Sequence, residues 1–359
     1  MNNNKRFRIL DLFCGAGGFS FGLDSLDQFE TKIGLDFDEN AIKTFQNMFP
    51  RAEGICGDIT SNKLKNKIIK KTKKYDINMI VGGPPCQGFS LKGKNLGIND
   101  DRNFLFREYA YIVEKLRPEI FVIENVKNMI SSGHGYFINE IKSLFKSMGY
   151  KVDYAILNAR DFGVPQSRER TIIVGSRSKV IDLSKIKKYS EIVTVRDAIS
   201  DLAYLLSGEG FDIDKYKTEA KTKYQKQMRA DYLQYHKATN HTTETIKKLK
   251  MIPAEGDKSY LPKHLHGNQK FSTTWSRLIW DIPSPTIDTR FDTPSNGRNT
   301  HPVLNRAITP REAARIQSFP DCFIFQGNKS SVCKQIGNAV PPLLAKAIGT
   351  HILKYYYHE

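Results

Sequence analysis

Ile77-Asn78-Met79-Ile80-Val81-Gly82-Gly83-Pro84-Pro85-Cys86-Gln87-Gly88-Phe89-Ser90 is the stretch whose reading decides the fold. Ile77 to Val81 is a short, mainly apolar run and predicts a buried parallel strand. Two glycines and two prolines then stop the strand and fix the backbone. The first strong nucleophile beyond that stop is Cys86. In an open α/β sheet, ligands bind beyond the carboxyl ends of the strands, so this thiol is expected to face a cleft. A lone cysteine is more often a small buried hydrophobe, and the surrounding chain has to decide between the two.

Toward the N-terminus the strand–loop pattern repeats. Phe7 to Phe13 reads as a first strand running into Cys14-Gly15-Ala16-Gly17-Gly18, where glycines let a ligand approach the backbone ahead of a helix N-terminus. The dinucleotide spacing GxGxxG is not met. Thr31 to Leu35 reads as a second strand ending at Asp36-Phe37-Asp38. Asp38 suits the N-cap of a helix over Glu39 to Phe49, which leaves Asp36 to accept hydrogen bonds from a ribose diol. Gly54 to Gly57 reads as a third strand ending at Asp58-Ile59, an acid suited to an exocyclic amine. Asn62 to Lys74 has the lysine-rich pattern of a surface helix.

Toward the C-terminus, Leu91 to Arg102 is polar and aperiodic, as suits a loop that closes over a substrate. Phe104 to Leu116 has helical spacing, stopped by Pro118. Ile120 to Ile123 is a strand that ends at Glu124-Asn125-Val126, placing a carboxyl on the same rim as Cys86. Gly135 to Met148 reads as a helix, and Lys151 to Leu157 and Arg170 to Gly175 as two strands. Between these strands lies Gln166-Ser167-Arg168-Glu169-Arg170. Its two arginines alternate on an extended segment and so point one way, a pairing suited to a phosphate or a base carbonyl.

The 359 residues are 40% hydrophobic, enough for a large domain and a smaller one. The formal charge of +17 favours a polyanionic partner. The five cysteines show no paired or metal-ligand spacing, so no metal is expected. Their odd number, with no apolar segment long enough for export or membrane spanning, suggests reduced thiols in a cytoplasm. Lys179 to Ser190 resembles a linker. Residues 207–305 have weak periodicity, and Trp275, Ser276, Arg277, Arg290, Thr293, Ser295, Asn296 and Arg298 are the side chains there that could read base edges. Thr309-Pro310-Arg311-Glu312 is a helix start with cap, proline and capping-box acid in order. Gln335-Ile336-Gly337-Asn338-Ala339-Val340-Pro341-Pro342 is a turn before a last helix.

Together these pieces resemble the DNA cytosine-5 methyltransferase family, of the bacterial restriction–modification type. The resemblance runs in order from Asp11-Leu12-Phe13-Cys14-Gly15-Ala16-Gly17-Gly18 through Gly83-Pro84-Pro85-Cys86-Gln87, Glu124-Asn125-Val126 and Gln166-Ser167-Arg168-Glu169-Arg170. It continues in Arg311-Glu312-Ala313-Ala314-Arg315 with Phe319-Pro320, and in Gln335 to Val340. Thr286-Ile287 falls where the family carries a Thr-aliphatic pair.

The resemblance implies an α/β fold. A Rossmann-like methyltransferase domain with a mostly parallel sheet would span residues 1–185 and be completed by 331–359. A small, loop-rich target-recognition domain would span 186–330. S-adenosyl-L-methionine is the implied methyl donor, contacted by Phe13, Gly15, Gly17, Asp36, Phe37, Asp58, Ile59, Pro85, Leu105, Asn338 and Val340. Cys86 would attack C6 of a cytosine flipped from duplex DNA, at a cost of a few kcal/mol. Glu124 would hold N3 and the exocyclic amine, Arg168 would hold O2, and Arg170 would brace the site. Gln87, Ser90, Arg277, Thr286, Arg290 and Arg298 are the expected DNA contacts. A monomer is expected, protecting host DNA from a cognate restriction endonuclease. The alternative keeps the fold and takes tRNA as substrate.

Overall fold

The computed structural model describes residues 6–85, 104–131, 136–267 and 272–357. Cys86, Gln87 and Ser90, and the expected closing loop over Leu91 to Arg102, lie outside them. The chain divides into two compact units: Met1–Asn158 with Glu169–Lys188 and Pro342–Glu359, and Ala159–Arg168 with Tyr189–Pro341. The expected boundaries at 185/186 and 330/331 therefore shift to 188/189 and 341/342, and residues 159–168 pass to the second unit. Local bonding explains that transfer. Gln166 exchanges side-chain hydrogen bonds with Gln317 and the Ile287 amide, and the Ser167 amide donates to Ser284.

In the first unit, elements alternate as the sequence predicts: β1 (Phe7–Leu12), α1 (Gly18–Asp24), β2 (Phe29–Asp36), α2 (Glu39–Met48), β3 (Glu53–Cys56), α3 (Asn62–Lys74), β4 (Met79–Gly82) and α4 (Phe104–Leu116). They continue with β5 (Ile120–Val126), α5 (Asn128–Ser131), α6 (Tyr136–Ser147), β6 (Lys151–Asn158) and β7 (Glu169–Ser176). Among the described residues these strands form one seven-stranded sheet in the order β3-β2-β1-β4-β5-β7-β6. All neighbouring pairs are parallel except those of β7, which runs antiparallel to both β5 and β6. Met79 to Val81 and Ile120 to Ile123 are wholly buried, as strands covered on both faces must be. Strand β5 runs three residues past its expected end, so Glu124 and Asn125 lie within the sheet. The C-terminal helix, Pro342–Tyr357, packs against α1.

The strand order reverses between β1 and β4, and this switch point leaves a crevice at their carboxyl ends. The register sets what lines it. Leu35 pairs with Leu12, Leu12 with Gly82, and Gly82 with Ile123. The next residue on each strand is Asp36, Phe13, Gly83 and Glu124, so one row across the sheet carries all four. Gly82 is required there, because a Cβ on it would lie 2.3 Å from the Leu12 carbonyl oxygen.

The second unit contains α7 (Val195–Ile199), a two-stranded ribbon of β8 (Ile213–Asp214) and β9 (Leu233–Gln234), α8 (Lys223–Met228), α9 (Thr243–Met251), α10 (Pro310–Ile316) and α11 (Lys329–Asn338). Long irregular segments join them. Its centre is charged. Helix α10 begins with the expected capping box, Thr309 with Glu312, and Glu312 is also clamped by two guanidinium nitrogens of Arg306 at 2.7 Å. Burial alone would raise the Glu312 pKa, but Arg306 outweighs it and holds the carboxyl at about 2.

His236 is buried between Thr309 and the Leu202 carbonyl, and loss of solvation pushes its pKa down to about 4. An unfolded histidine titrates near 6.5. The unfolded chain therefore binds a proton that the folded chain refuses, and stability falls as pH drops from about 6.5 toward 4. The melting temperature of a His236→Gln variant should decline less between pH 7 and pH 5 than that of the native protein. Equal declines would remove His236 from the acid response.

Candidate active site

The site is built at the row of strand ends. The loop after β1 turns sharply: Phe13, Gly15 and Gly17 have φ of 61°, 53° and 91°. The Asp36 carboxylate fastens this loop, accepting from the Gly15 amide at 2.9 Å through one oxygen and from the Asp38 amide at 2.9 Å through the other. Asp36 was expected to be left free for a ligand. It instead has a structural duty as well, and burial raises its pKa. Asp38 caps α2 as expected, accepting from Asn40 and Ala41. Beside them Phe37 is 67% exposed, an unusual position for a phenyl ring at the mouth of a crevice. Below the loop, Asp11 is buried with the Ser20 hydroxyl at 2.6 Å, and desolvation pushes its pKa to about 7.

At the end of β3, Asp58 is exposed and Ile59 is buried in the core. Ile59 thus has only its main chain to offer a ligand. Leu105 and Phe13 are half-buried against the same core cluster, and Pro85 is half-buried at the edge of the described segment. Asn338 and Val340 belong to the second unit, Asn338 as the exposed last residue of α11.

On β5, Glu124 is 9% exposed, and its Oε1 is 2.9 Å from Nε of Arg170. A Cβ on Gly83 would lie 3.1 Å from Oε2 of the same carboxylate, so Gly83 makes room for it. The adjacent Asn125 donates from Nδ2 to the Pro84 carbonyl at 2.9 Å. This tie fixes the loop after β4 to the acid-bearing strand. Asn125 and Gly83 were quoted in the sequence motifs without a role. An amide next to an acid and opposite a proline pair was the only signal that could have assigned one.

Arg170 lies in β7 opposite Val126, diagonal to Glu124. Arg168 precedes the strand, is buried in the second unit, and donates to the carbonyls of Ile287 and Gly337 at 3.3 and 3.1 Å. Their partners differ: Arg170 pairs with the Glu124 carboxylate, and Arg168 with two main-chain carbonyls.

The expected DNA contacts also separate. Arg277 is 2% exposed, and its guanidinium donates to the carbonyls of Leu249, Ile252, His301 and Leu304 and to Asn305. It is an internal strut and not a reader, and Trp275 and Ser276 are buried beside it. Thr286 and Arg290 are exposed and Arg298 is half-buried. Thr286 donates to the Ser167 carbonyl at 3.1 Å.

Cys14, Cys56, Cys322 and Cys333 are free thiols, and desolvation raises the pKa of each. None of these four is an activated nucleophile. Among the described residues no cluster of three or more His, Cys, Asp or Glu side chains could hold a metal, and no helix is long and apolar enough to cross a membrane.

The family model for C-5 cytosine-specific DNA methylase matches residues 7–354. The Type II methyltransferase M1.HphI of Haemophilus parahaemolyticus is 34% identical over 98% of this chain and 87% of that protein. The Type II methyltransferase M.DdeI of Desulfomicrobium norvegicum is 35% identical over 97% of this chain and 89% of that protein. Among solved structures, one described as a DNA modification methyltransferase encoded within an E. coli prophage superposes with a TM-score of 0.78 at 26% identity, covering 97% of this chain and 99% of that one.

Proposed function

Because the chain belongs to the C-5 cytosine-specific DNA methylase family, we propose that it methylates C5 of a cytosine flipped out of a specific duplex DNA sequence, with Cys86 as nucleophile. The similarity to Type II methyltransferases supports a role in marking host DNA against a cognate restriction endonuclease. The observation that carries the chemistry is the alignment of Phe13, Gly83 and Glu124 on adjacent strand ends. Asn125 ties the chain at Pro84, two residues before Cys86. Two residues of backbone span at most about 7 Å.

The residues of the first unit fit S-adenosylmethionine. Phe37 offers an exposed ring for an adenine to stack on. Asp36 retains lone pairs for ribose hydroxyls beside the two amides it already binds. Asp58 is exposed to accept from an amine, and Phe13 flanks the turn. The bound cofactor supplies an electrophilic methyl carried on a sulfonium.

The chain's own groups act on the pyrimidine. The Cys86 sulfur bonds to C6, and the displaced electron pair moves toward N3 and O2, leaving C5 nucleophilic. Glu124 donates to N3 and meets the exocyclic amine as that charge builds. Arg170, ion-paired to Glu124, takes the O2 contact first assigned to Arg168, while Arg168 braces the second unit. After C5 gains its methyl, loss of the C5 proton expels Cys86 and restores the ring.

Transfer of labelled methyl from S-adenosylmethionine tests the reading. Label should enter duplex DNA at a single sequence, located by bisulfite sequencing, and not tRNA. Label in tRNA alone would replace the DNA reading with an RNA one. Glu124→Gln keeps the shape and a hydrogen bond but has no acidic proton to deliver. Its kcat should fall by about 10²- to 10⁴-fold with DNA affinity retained. An unchanged kcat would remove the acid from the scheme.

A further inference from the structure

Resting on the DNA methyltransferase reading, we propose that a polar cleft within the second unit reads one G·C base pair of the recognised site, Arg298 and Lys258 donating to guanine and Asp257 accepting from cytosine. The cleft has a volume of about 350 Å³, and all its lining side chains are polar, among them Asp257, Lys258, Ser259, His266, Thr273 and Arg298.

Its two walls share one pin. The Arg277 amide donates to the Gly256 carbonyl at 2.9 Å, fixing the turn that carries Asp257 and Lys258. The Arg277 carbonyl accepts from Nη1 of Arg298 at 2.8 Å, fixing the opposite wall. Arg277 is itself immobilised by the five partners of its buried guanidinium, and the Leu278 amide bonds to Thr300 just beyond it. The residue first expected to touch DNA thus sets the spacing of the groups that do. Such support is what a recognition site requires.

The charge pattern selects the ligand. A phosphate offers only acceptors and would meet the carboxylate of Asp257. That carboxylate is oriented by the Ser259 amide at 2.8 Å, and hydrogen bonds from Ser259 keep its pKa below the usual range, so it accepts and does not donate at neutral pH. Guanine presents O6 and N7 as acceptors in the major groove, and its partner cytosine presents the N4 amine as a donor. The Arg298 guanidinium on one wall, with the Lys258 ammonium and the Asp257 carboxylate on the turn opposite, supplies the donors and the acceptor that match that pair.

The test uses full-length protein and a duplex library randomised at the positions flanking the target cytosine, read by bisulfite sequencing. Native enzyme should demand G·C at one position at least. Arg298→Ala and Asp257→Asn should each relax that demand at the same one position, by roughly 5- to 100-fold, and leave the others intact. Arg298→Lys, which keeps the charge and loses the fork, should relax it too. Thermal melting of each variant confirms folding. A uniform loss across all sequences with a shallower salt dependence would mean a phosphate contact and overturn the proposal, as would unchanged profiles. If native enzyme marks no library member, the methyltransferase reading beneath it fails instead.

Discussion

Replacing Cys86 with alanine is expected to lower methyl transfer by on the order of 10⁴-fold or more, the scale seen when a nucleophile is removed from a cooperating site. DNA affinity should be little changed, because the role proposed for the thiol lies in the reaction and not in the groove contacts. Duplex DNA carrying 5-fluorocytosine gives an independent readout. Fluorine cannot leave C5 as a cation, so native enzyme should accumulate a covalent adduct that survives a denaturing gel, and the variant should give none. An adduct formed by the alanine variant would place the nucleophile elsewhere. Cys14, Cys56, Cys322 and Cys333 make poor alternatives, since desolvation keeps their thiols protonated.

Arg315→Met is expected to destabilise the second unit by about 3–5 kcal/mol, the cost of leaving buried charges without their partner. Arg315 is fully buried on α10. It binds Asp321 through Nη2 at 2.6 Å and Nε at 3.0 Å, and Asp201 through Nη1 at 2.7 Å. Arg229 also reaches Asp201, and Tyr216 and, at 3.7 Å, Arg311 also reach Asp321, but none of them replaces a guanidinium hydrogen-bonded to both carboxylates. Urea denaturation should show a clear drop in the unfolding midpoint at unchanged slope. Arg315→Lys should recover only part of the loss, because an ammonium cannot meet both acids in the same geometry. A loss below about 1 kcal/mol, the scale of an exposed ion pair, would contradict the importance given to this cluster.

What could be read in advance follows the range of the interactions involved. Helices α3 and α4 begin and end where the sequence places them, because caps, breakers and apolar spacing act within a few residues. The capping box at Thr309 is local in the same way. Strand β5 is different. Glu124 and Asn125 look like a strand terminus, yet pairing with Ile172 and Thr171 carries the ladder through them, and that partner strand is almost fifty residues away. The arginines were hardest. A guanidinium can face DNA, an acid or a ring of carbonyls, and only distant partners decide. Those of Arg277 lie 24 to 28 residues away, and the Gly337 carbonyl that engages Arg168 is 169 residues off. Composition marks such side chains as polar and basic, and burial then assigns them to the interior.

The inverted direction of β7 has a consequence for how such a centre can be assembled. In a sheet whose strands all run one way, the ligand-facing edge receives only the finishing residues of each strand, and every strand's opening residues emerge at the far edge. Turning one strand over brings an opening residue, Arg170, to the edge where Glu124 arrives from the opposite sense. The carboxylate and its counter-ion are thereby both mounted on hydrogen-bonded ladder, so neither depends on a loop for its aim.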